Sequence, residues 1–184
     1  FADVHAFEPN PKLWPPFERN MALNAIGNVT LHRVGLGQKS GRFPFYLTEK
    51  ANDGLGTFSN IDQYDVPLKE VGMLSLEIGD AYLEAHGIRD VDAVKIDTQG
   101  LEAEVIGGLD ATLSRCRPVV WFELGIGTID KFPTIADVKR LLPYPVELWR
   151  MDAVAHFMAL KFVKRRLDDA EPSHFGDLIA VPAA

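Results

Sequence analysis

The sequence predicts an α/β fold built on an open, mostly parallel sheet with an antiparallel last strand, and three observations predict it. Strand-like and helix-like segments alternate along the chain, the pattern of a layered α/β architecture. The strand-like segments are rich in Val and Ile. One of them, PVVWFELG at 118–125, is a near-continuous apolar run, as in a parallel strand covered on both faces. No internal repeat, linker-like composition or low-complexity tract interrupts the 184 residues, so one domain, 1–184, is expected.

Ala2 to Glu8 reads as a short buried strand that ends in an acid and breaks into Pro-Asn-Pro. Pro11 suits a helix start, where its fixed φ and missing N–H do no harm. Leu13, Phe17, Met21, Leu23 and Ala25 then recur at roughly helical spacing, and Gly27-Asn28 is expected to close the helix. VTLHRV (29–34) alternates and is β-branched, a strand. GRFPFYL (41–47) is an outer strand, since Pro44 has no N–H for a central ladder. TEKANDGLGTFSN is an exposed loop, and VPLKEVGMLSLEI holds one or two strands. GDAYLEAHG is a short helix ended by Gly87. In VDAVKIDTQG a buried strand ends in Asp97, and LEAEVIGGLDATLSR follows as one helix. PVVWFELG ends in Glu123. TIADVKRLL is a helix with Thr134 as N-cap. PVELWRM and GDLIAVP are the last strands, and they are expected to form an antiparallel pair.

A formal net charge of −7 argues against general nucleic-acid binding, which needs a basic footprint. No apolar run approaches a bilayer-spanning length, and no signal peptide is visible. The single cysteine, Cys116, allows no intrachain disulfide and fits a reducing, cytoplasmic compartment. No metal-ligand spacing is found. The chain opens on Phe1 and enters strand-like sequence within three residues, so its beginning is expected to lie upstream.

Three strands end in an acid: Glu8, Asp97 and Glu123. In an open α/β sheet, ligands bind outside the carboxyl ends of the strands. An acid at the end of the second strand of a nucleotide-binding half accepts hydrogen bonds from two ribose hydroxyls. Glu8 is the candidate for that role; a helix N-terminal acid stabilising the dipole is the alternative.

AFEPNP, GDAYLEAHGI and DAVKIDTQGLEAEVIGGL…RPVVWFELG, in this order over about residues 2–125, resemble the FkbM-type methyltransferase family. The resemblance implies the Rossmann-like class I methyltransferase sheet, with strand order 3-2-1-4-5-7-6, and S-adenosylmethionine as cofactor. It implies an O-directed reaction on a hydroxyl of a sugar or secondary-metabolite-type small molecule. It places Glu8 at the ribose, Asn10 among the cofactor-binding residues and backbone near Gly35 and Leu36 at the adenine. Asp97 then faces the methionine part or the reacting methyl.

Two departures from that pattern stand out. The family's first strand and its D-x-G-A-N-x-G-like turn do not occur, so the central strand is expected to be missing from the chain. Gln99 stands in KIDTQG where the family usually has Glu; an amide donates as well as accepts but is no general base. Gln99 is then expected to orient a substrate hydroxyl.

Methyl transfer from a sulfonium is mostly a matter of position, and alignment recovers roughly 7–11 kcal/mol of barrier. An alcohol acceptor also needs a base. Asp97 is the first candidate, because burial at a strand end raises a carboxyl pKa; capping the next helix or pairing with Lys95 is its structural alternative. Glu123 is the second candidate, or else an acceptor of loop N–H bonds. His174 is a third, on the expectation that His156 and His174 fall in a loop crossing the ligand edge. His5 and His32 read as structural, and His86 as a helix-end cation. Lys161, Lys164, Arg165 and Arg166 form a basic cluster that suits an anionic acceptor, or a solvated helix face balanced by Asp168, Asp169 and Glu171.

Two other readings compete. An acid at the second strand's end also reads the ribose of NAD in a dehydrogenase. Gln99 and the missing first motif also fit a non-catalytic methyltransferase-fold binding protein.

Overall fold

A computed structural model describes residues 3–48, 54–59, 67–125, 131–156, 159–174 and 176–183. The strands are β1 (Val4–Phe7), β2 (Val29–His32), β3 (Gly35–Gly37), β4 (Gly41–Thr48), β5 (Leu68–Ile78), β6 (Ala93–Ile96), β7 (Val119–Leu124), β8 (Val146–His156), β9 (Ala159–Arg166) and β10 (Gly176–Pro182). The helices are α1 (Trp14–Leu23), α2 (Gly79–Ala85), α3 (Glu102–Gly108), α4 (Asp110–Cys116) and α5 (Ile135–Lys139).

The strands form three sheets, ordered β1-β2, β6-β7-β10-β8-β9 and β3-β5-β4. The expected mostly parallel sheet is not what is seen among the described residues. Three ladders are parallel (β1 with β2, β3 with β5, β6 with β7) and four antiparallel. Parallel neighbours need long crossovers and antiparallel ones only short connections. The second half of the chain, from β7 on, has few long crossovers, and its pairs are antiparallel. The last pair is as expected: β10 lies antiparallel between β7 and β8.

Several elements differ locally from their sequence pattern. Helix α1 ends at Leu23, not at Gly27. Ala25 takes the left-handed conformation (φ 52°), with Ala25 N–H donating to Ala22 O and Ile26 N–H to Met21 O, a Schellman closure without its usual glycine. The expected helix over 101–115 is two short helices broken at Leu109. Asp80 of α2 accepts the N–H groups of Ala111 and Thr112 at 2.8 and 2.9 Å, which starts α4 afresh. The basic segment 159–166 is strand β9 at a sheet edge rather than a helix face. His156 ends β8 and is not in a loop.

Other elements follow the pattern. Thr134 and Asp137 form a full capping box on α5. Gly87 closes α2 at φ 70°. β4, with Pro44, is an edge strand.

The core lies between α3, α4, α5 and one face of the five-stranded sheet. Leu113, Val120, Phe122, Leu124, Val138, Leu148 and Ala180 are all fully buried there. The other face carries Val119, Trp121 and Met151, which are 37%, 41% and 45% exposed. PVVWFELG is therefore covered on one face only among the described residues, which corrects the expectation of two. Its apolar run is split by the strand period, Val120, Phe122 and Leu124 inward and Val119 and Trp121 outward.

Candidate functional site

The turn after β1 is pinned from several sides. Asn10 N–H donates to Glu8 Oε1 at 2.6 Å. Trp14 Nε1 donates to the Glu8 carbonyl at 2.9 Å. Asn10 is almost fully buried, and its Oδ1 accepts Lys12 N–H at 3.1 Å. Pro-Asn-Pro thus serves as a rigid Asx turn that fixes where Glu8 stands. Burial pushes the Glu8 carboxyl above its usual value, and the bond from Asn10 N–H pulls it back in part.

A cleft of about 790 Å³ runs between β1 and β6. Glu8, Asn10, Gly35, Leu36 and Asp97 all line it, together with Leu13, Thr57 and Phe58. All five residues expected at the cofactor therefore meet in one place. At Gly35 a Cβ would stand 2.8 Å from Phe58 Cε2 and 3.0 Å from Leu76 Cδ1, so only bare backbone fits. Gly108 presses flat on β3: a Cβ there would come within 2.0 Å of Gly37 O.

Beyond β6 the loop 97–101 is tightly tied. Asp97 Oδ2 accepts Lys95 Nζ at 2.9 Å and Oδ1 accepts Gln99 Nε2 at 3.0 Å. Its side chain is 51% exposed, so the burial expected at this strand end is not present. Gln99 has φ 54° and Gly100 φ 100°. The Gln99 carbonyl accepts Thr57 Oγ1 at 2.9 Å. Glu102, 1% exposed, accepts Thr98 N–H, Thr98 Oγ1 and Gly100 N–H on Oε1, while its Oε2 has no hydrogen-bond partner among the described residues.

Glu123 lies on β7 one strand over. The β6–β7 register places Asp97 beside it, and Asp177 of β10 is its direct partner. Burial first, then the charges of Asp97, Asp177 and Glu102, push the Glu123 carboxyl up; Lys95 pulls it down. Neither Glu123 nor Gln99 lines the cleft. His174 is exposed, two residues before β10, and does not line the cleft. The basic cluster is engaged elsewhere: Arg165 pairs with Glu171 at 2.8 Å, Arg166 with Glu147 at 3.2 Å, and Lys164 covers the Trp149 ring. The side chain of Lys161 lies outside the described residues.

Sequence reasoning missed Glu102, Thr57 and Asp177. Glu102 was readable as the last letter of KID-x-x-G-x-E. Thr57 reaches the cleft only through tertiary pairing, and Asp177 meets Glu123 only through the β7–β10 ladder.

The profile of the Methyltransferase FkbM domain matches residues 2–148. Methyltransferase 1 of Beauveria bassiana is 29% identical over 121 residues, 58% of this chain and 49% of that protein. Hexuronic acid methyltransferase AglP of Haloferax volcanii is 30% identical over 141 residues, 77% of this chain and 53% of that protein. The chain thus spans about half the length of these curated relatives. A crystal structure of Methyltransferase FkbM from Methylobacillus flagellatus is 14% identical, covering 98% of this chain and 36% of that one, with a TM-score of 0.47. The chain belongs to the FkbM methyltransferase family.

Proposed function

We propose that the chain is part of an S-adenosylmethionine-dependent O-methyltransferase acting on a hydroxyl of a sugar-like small molecule. One observation carries the reading: Glu8, Asn10, Gly35, Leu36 and Asp97 converge on one cleft, of a size usual for small-molecule sites. The residues fit the cofactor. Glu8 supplies acceptor oxygens for a ribose diol. Gly35 and Gly37 offer bare backbone beside the apolar Leu36, Phe58 and Leu76, suited to a flat base. A hexuronic acid methyltransferase among the relatives supports a sugar-type acceptor. The single thiol, Cys116, supports a cytoplasmic setting.

The cofactor supplies a methyl group on a sulfonium, already activated for displacement. The chain's own residues bind and orient. Glu8 and Asn10 hold the ribose end at the rim of β1. Lys95 and Gln99 hold Asp97 in one orientation at the end of β6. Glu123, beside Asp97 on the neighbouring strand and with its carboxyl pushed up by burial, takes the proton from the acceptor hydroxyl.

The fold reading has a second part. β1 and β6 each present an edge to the cleft without a strand partner among the described residues. A further strand of the whole protein would pair between them, below the ligand end marked by Glu8 and Asp97.

Calorimetry of the whole protein with S-adenosylhomocysteine tests the reading. Binding is expected, and Glu8→Ala should weaken it by about tenfold or more, as expected for loss of a charge-assisted bond. No binding would reject the proposal, and tighter binding of NAD would transfer the site to a dehydrogenase. Binding with no turnover on any acceptor would leave a non-catalytic binding protein.

A further inference from the structure

Gln99 takes a left-handed backbone (φ 54°), a conformation that a residue with a Cβ keeps only where its surroundings enforce it. The peptide joining Gln99 to Gly100 is held from both sides. Its N–H donates to Glu102 Oε1 at 3.0 Å, and its C=O accepts Thr57 Oγ1 at 2.9 Å. A trans peptide points its N–H and C=O opposite ways, so two clamps on opposite sides fix the plane. Glu102 is nearby in sequence and holds the loop from behind. Thr57 comes from a different sheet and reaches the loop from the cleft.

Thr57 is itself firmly placed. It is 5% exposed, and its N–H and C=O pair with Tyr46 of β4 at 2.9 and 2.8 Å. Gly56 before it lies flat on Phe45, where a Cβ would stand 2.5 Å from the ring. The Thr57 hydroxyl accepts Ser59 N–H at 3.0 Å, and its one proton is directed to the Gln99 carbonyl. Beyond that peptide, Gln99 Nε2 donates to Asp97 Oδ1 at 3.0 Å, and Asp97 lines the cleft. A chain of bonds thus runs from β4 through Thr57 and Gln99 to Asp97.

We infer that Thr57 is a positioning residue of the cofactor site: its hydroxyl holds the Gln99 peptide and, through Gln99, keeps Asp97 directed at the amino-acid end of S-adenosylmethionine. This rests on the methyltransferase reading above and assigns Asp97 the ammonium group of that end. A carboxylate accepts N–H bonds from an ammonium group, and a methyl group offers none. Without the Thr57 hydroxyl the Gln99 carbonyl loses a donor, the peptide plane is held from one side only, and the amide that orients Asp97 shifts with it.

The test uses the whole protein and two probes, S-adenosylhomocysteine and methylthioadenosine. Both carry the adenine and the ribose, and only the first carries the amino-acid end. Calorimetry gives each affinity for the wild type and for the variants. Thr57→Val should weaken S-adenosylhomocysteine by about fivefold and methylthioadenosine by less than about twofold. Thr57→Ser keeps the hydroxyl and should stay within about twofold of the wild type for both probes. In a Gln99→Ala background Thr57→Val should cost less than about twofold, because the link it acts through is already gone. A merely structural role would weaken both probes together, whatever stands at position 99. Should Thr57→Val not fold, Thr57→Ala is read in its place with the same expectations. Equal weakening of both probes, weakening of neither, a Thr57→Ser loss as large as that of Thr57→Val, an undiminished loss in the Gln99→Ala background, or failure of both Thr57→Val and Thr57→Ala to fold overturns the inference. Asp97→Asn separates the parent reading: it should weaken S-adenosylhomocysteine and spare methylthioadenosine. No binding of S-adenosylhomocysteine, or an Asp97→Asn that spares both probes, overturns the parent reading, and the role of Thr57 falls with it.

Discussion

Glu123 and Gln99 show how single residues shape the site. The folded-state pKa of Glu123 is raised above its usual 4.5. Between the unfolded and folded values the folded state binds more protons, so stability falls as pH rises through that window and stays lower above it. Glu123→Gln removes the penalty. It should raise the melting temperature at neutral pH by about 1–2 °C while lowering kcat by about 100-fold, the range for loss of a general base; thermal melts and initial rates of the whole protein check both. Gln99→Glu replaces a donor to Asp97 Oδ1 by a second carboxylate. Asp97 then loses the bond that orients it, and kcat/KM should fall by about tenfold; unchanged rates would mean that Asp97 is not positioned through Gln99. The acids themselves were legible in the sequence because each ends a strand. Their separate surroundings were not, since Asp97 is 51% exposed and Glu123 owes its raised carboxyl first to burial in the sheet, then to its neighbours Asp97 and Asp177 on the adjacent strands.

Elements were legible where one segment decides its own fate. Thr134 announces α5 through its capping box, and Gly87 announces the end of α2. They were less legible where a neighbour intervenes. The break at Leu109 comes from Asp80 on α2, and no local pattern in LEAEVIGGLDATLSR reports it. Two adjacent glycines there behave differently. At Gly108 a Cβ meets backbone, Gly37 O, at 2.0 Å, whereas at Gly107 it meets the end of the flexible Gln38 side chain. Gly108→Ala should therefore cost about 3 kcal/mol by overpacking and weaken cofactor binding, because α3 must lift from β3. Gly107→Ala should cost under about 1 kcal/mol and can gain from helix propensity. Denaturant midpoints of the two variants decide, and equal losses would contradict the close approach.

Helix α2 is also joined to the β1–β2 sheet by rings: His5 Nδ1 lies 2.9 Å from His32 Nε2, His32 Nδ1 lies 3.2 Å from Tyr82 Oη, and His86 stacks on Tyr82. Burial, then the charges of His5 and His86, hold the His32 pKa below its usual 6.5. A depressed base contributes stability above its unfolded pKa and loses it as pH falls through that value. The melting temperature should drop below about pH 6.5, and His32→Gln should flatten that part of the profile. A wild-type curve that is flat from pH 7 to pH 5.5 would show that these rings do not couple α2 to the sheet.

At the scale of the molecule, β1 and β6 each have one edge without a strand partner among the described residues. Val4 N–H and Glu8 N–H bond to β2 at 2.9 and 3.0 Å, so in a parallel ladder the backbone groups of His5 and Phe7 point the other way, into the cleft. β6 is likewise an edge, with β7 its one strand partner among the described residues. Backbone N–H and C=O groups without partners are costly when enclosed, and a strand between β1 and β6 would pair with both. In the sequence the proposed further strand rests only on the absent D-x-G-A-N-x-G-like turn; the cleft lined by Val4–Phe7 and Ala93–Ile96 is where it would fit. Hydrogen exchange distinguishes the cases. In the whole protein the amides of His5 and Phe7 should exchange at least about 100-fold more slowly than in the 184-residue chain alone, since each tenfold reflects about 1.4 kcal/mol of added protection. Amides at Val4 and Ala6, already directed to β2, should slow only by the overall gain in stability. Equal exchange at all four positions would mean that nothing pairs with β1 from the cleft side, and the slot would then belong wholly to ligand.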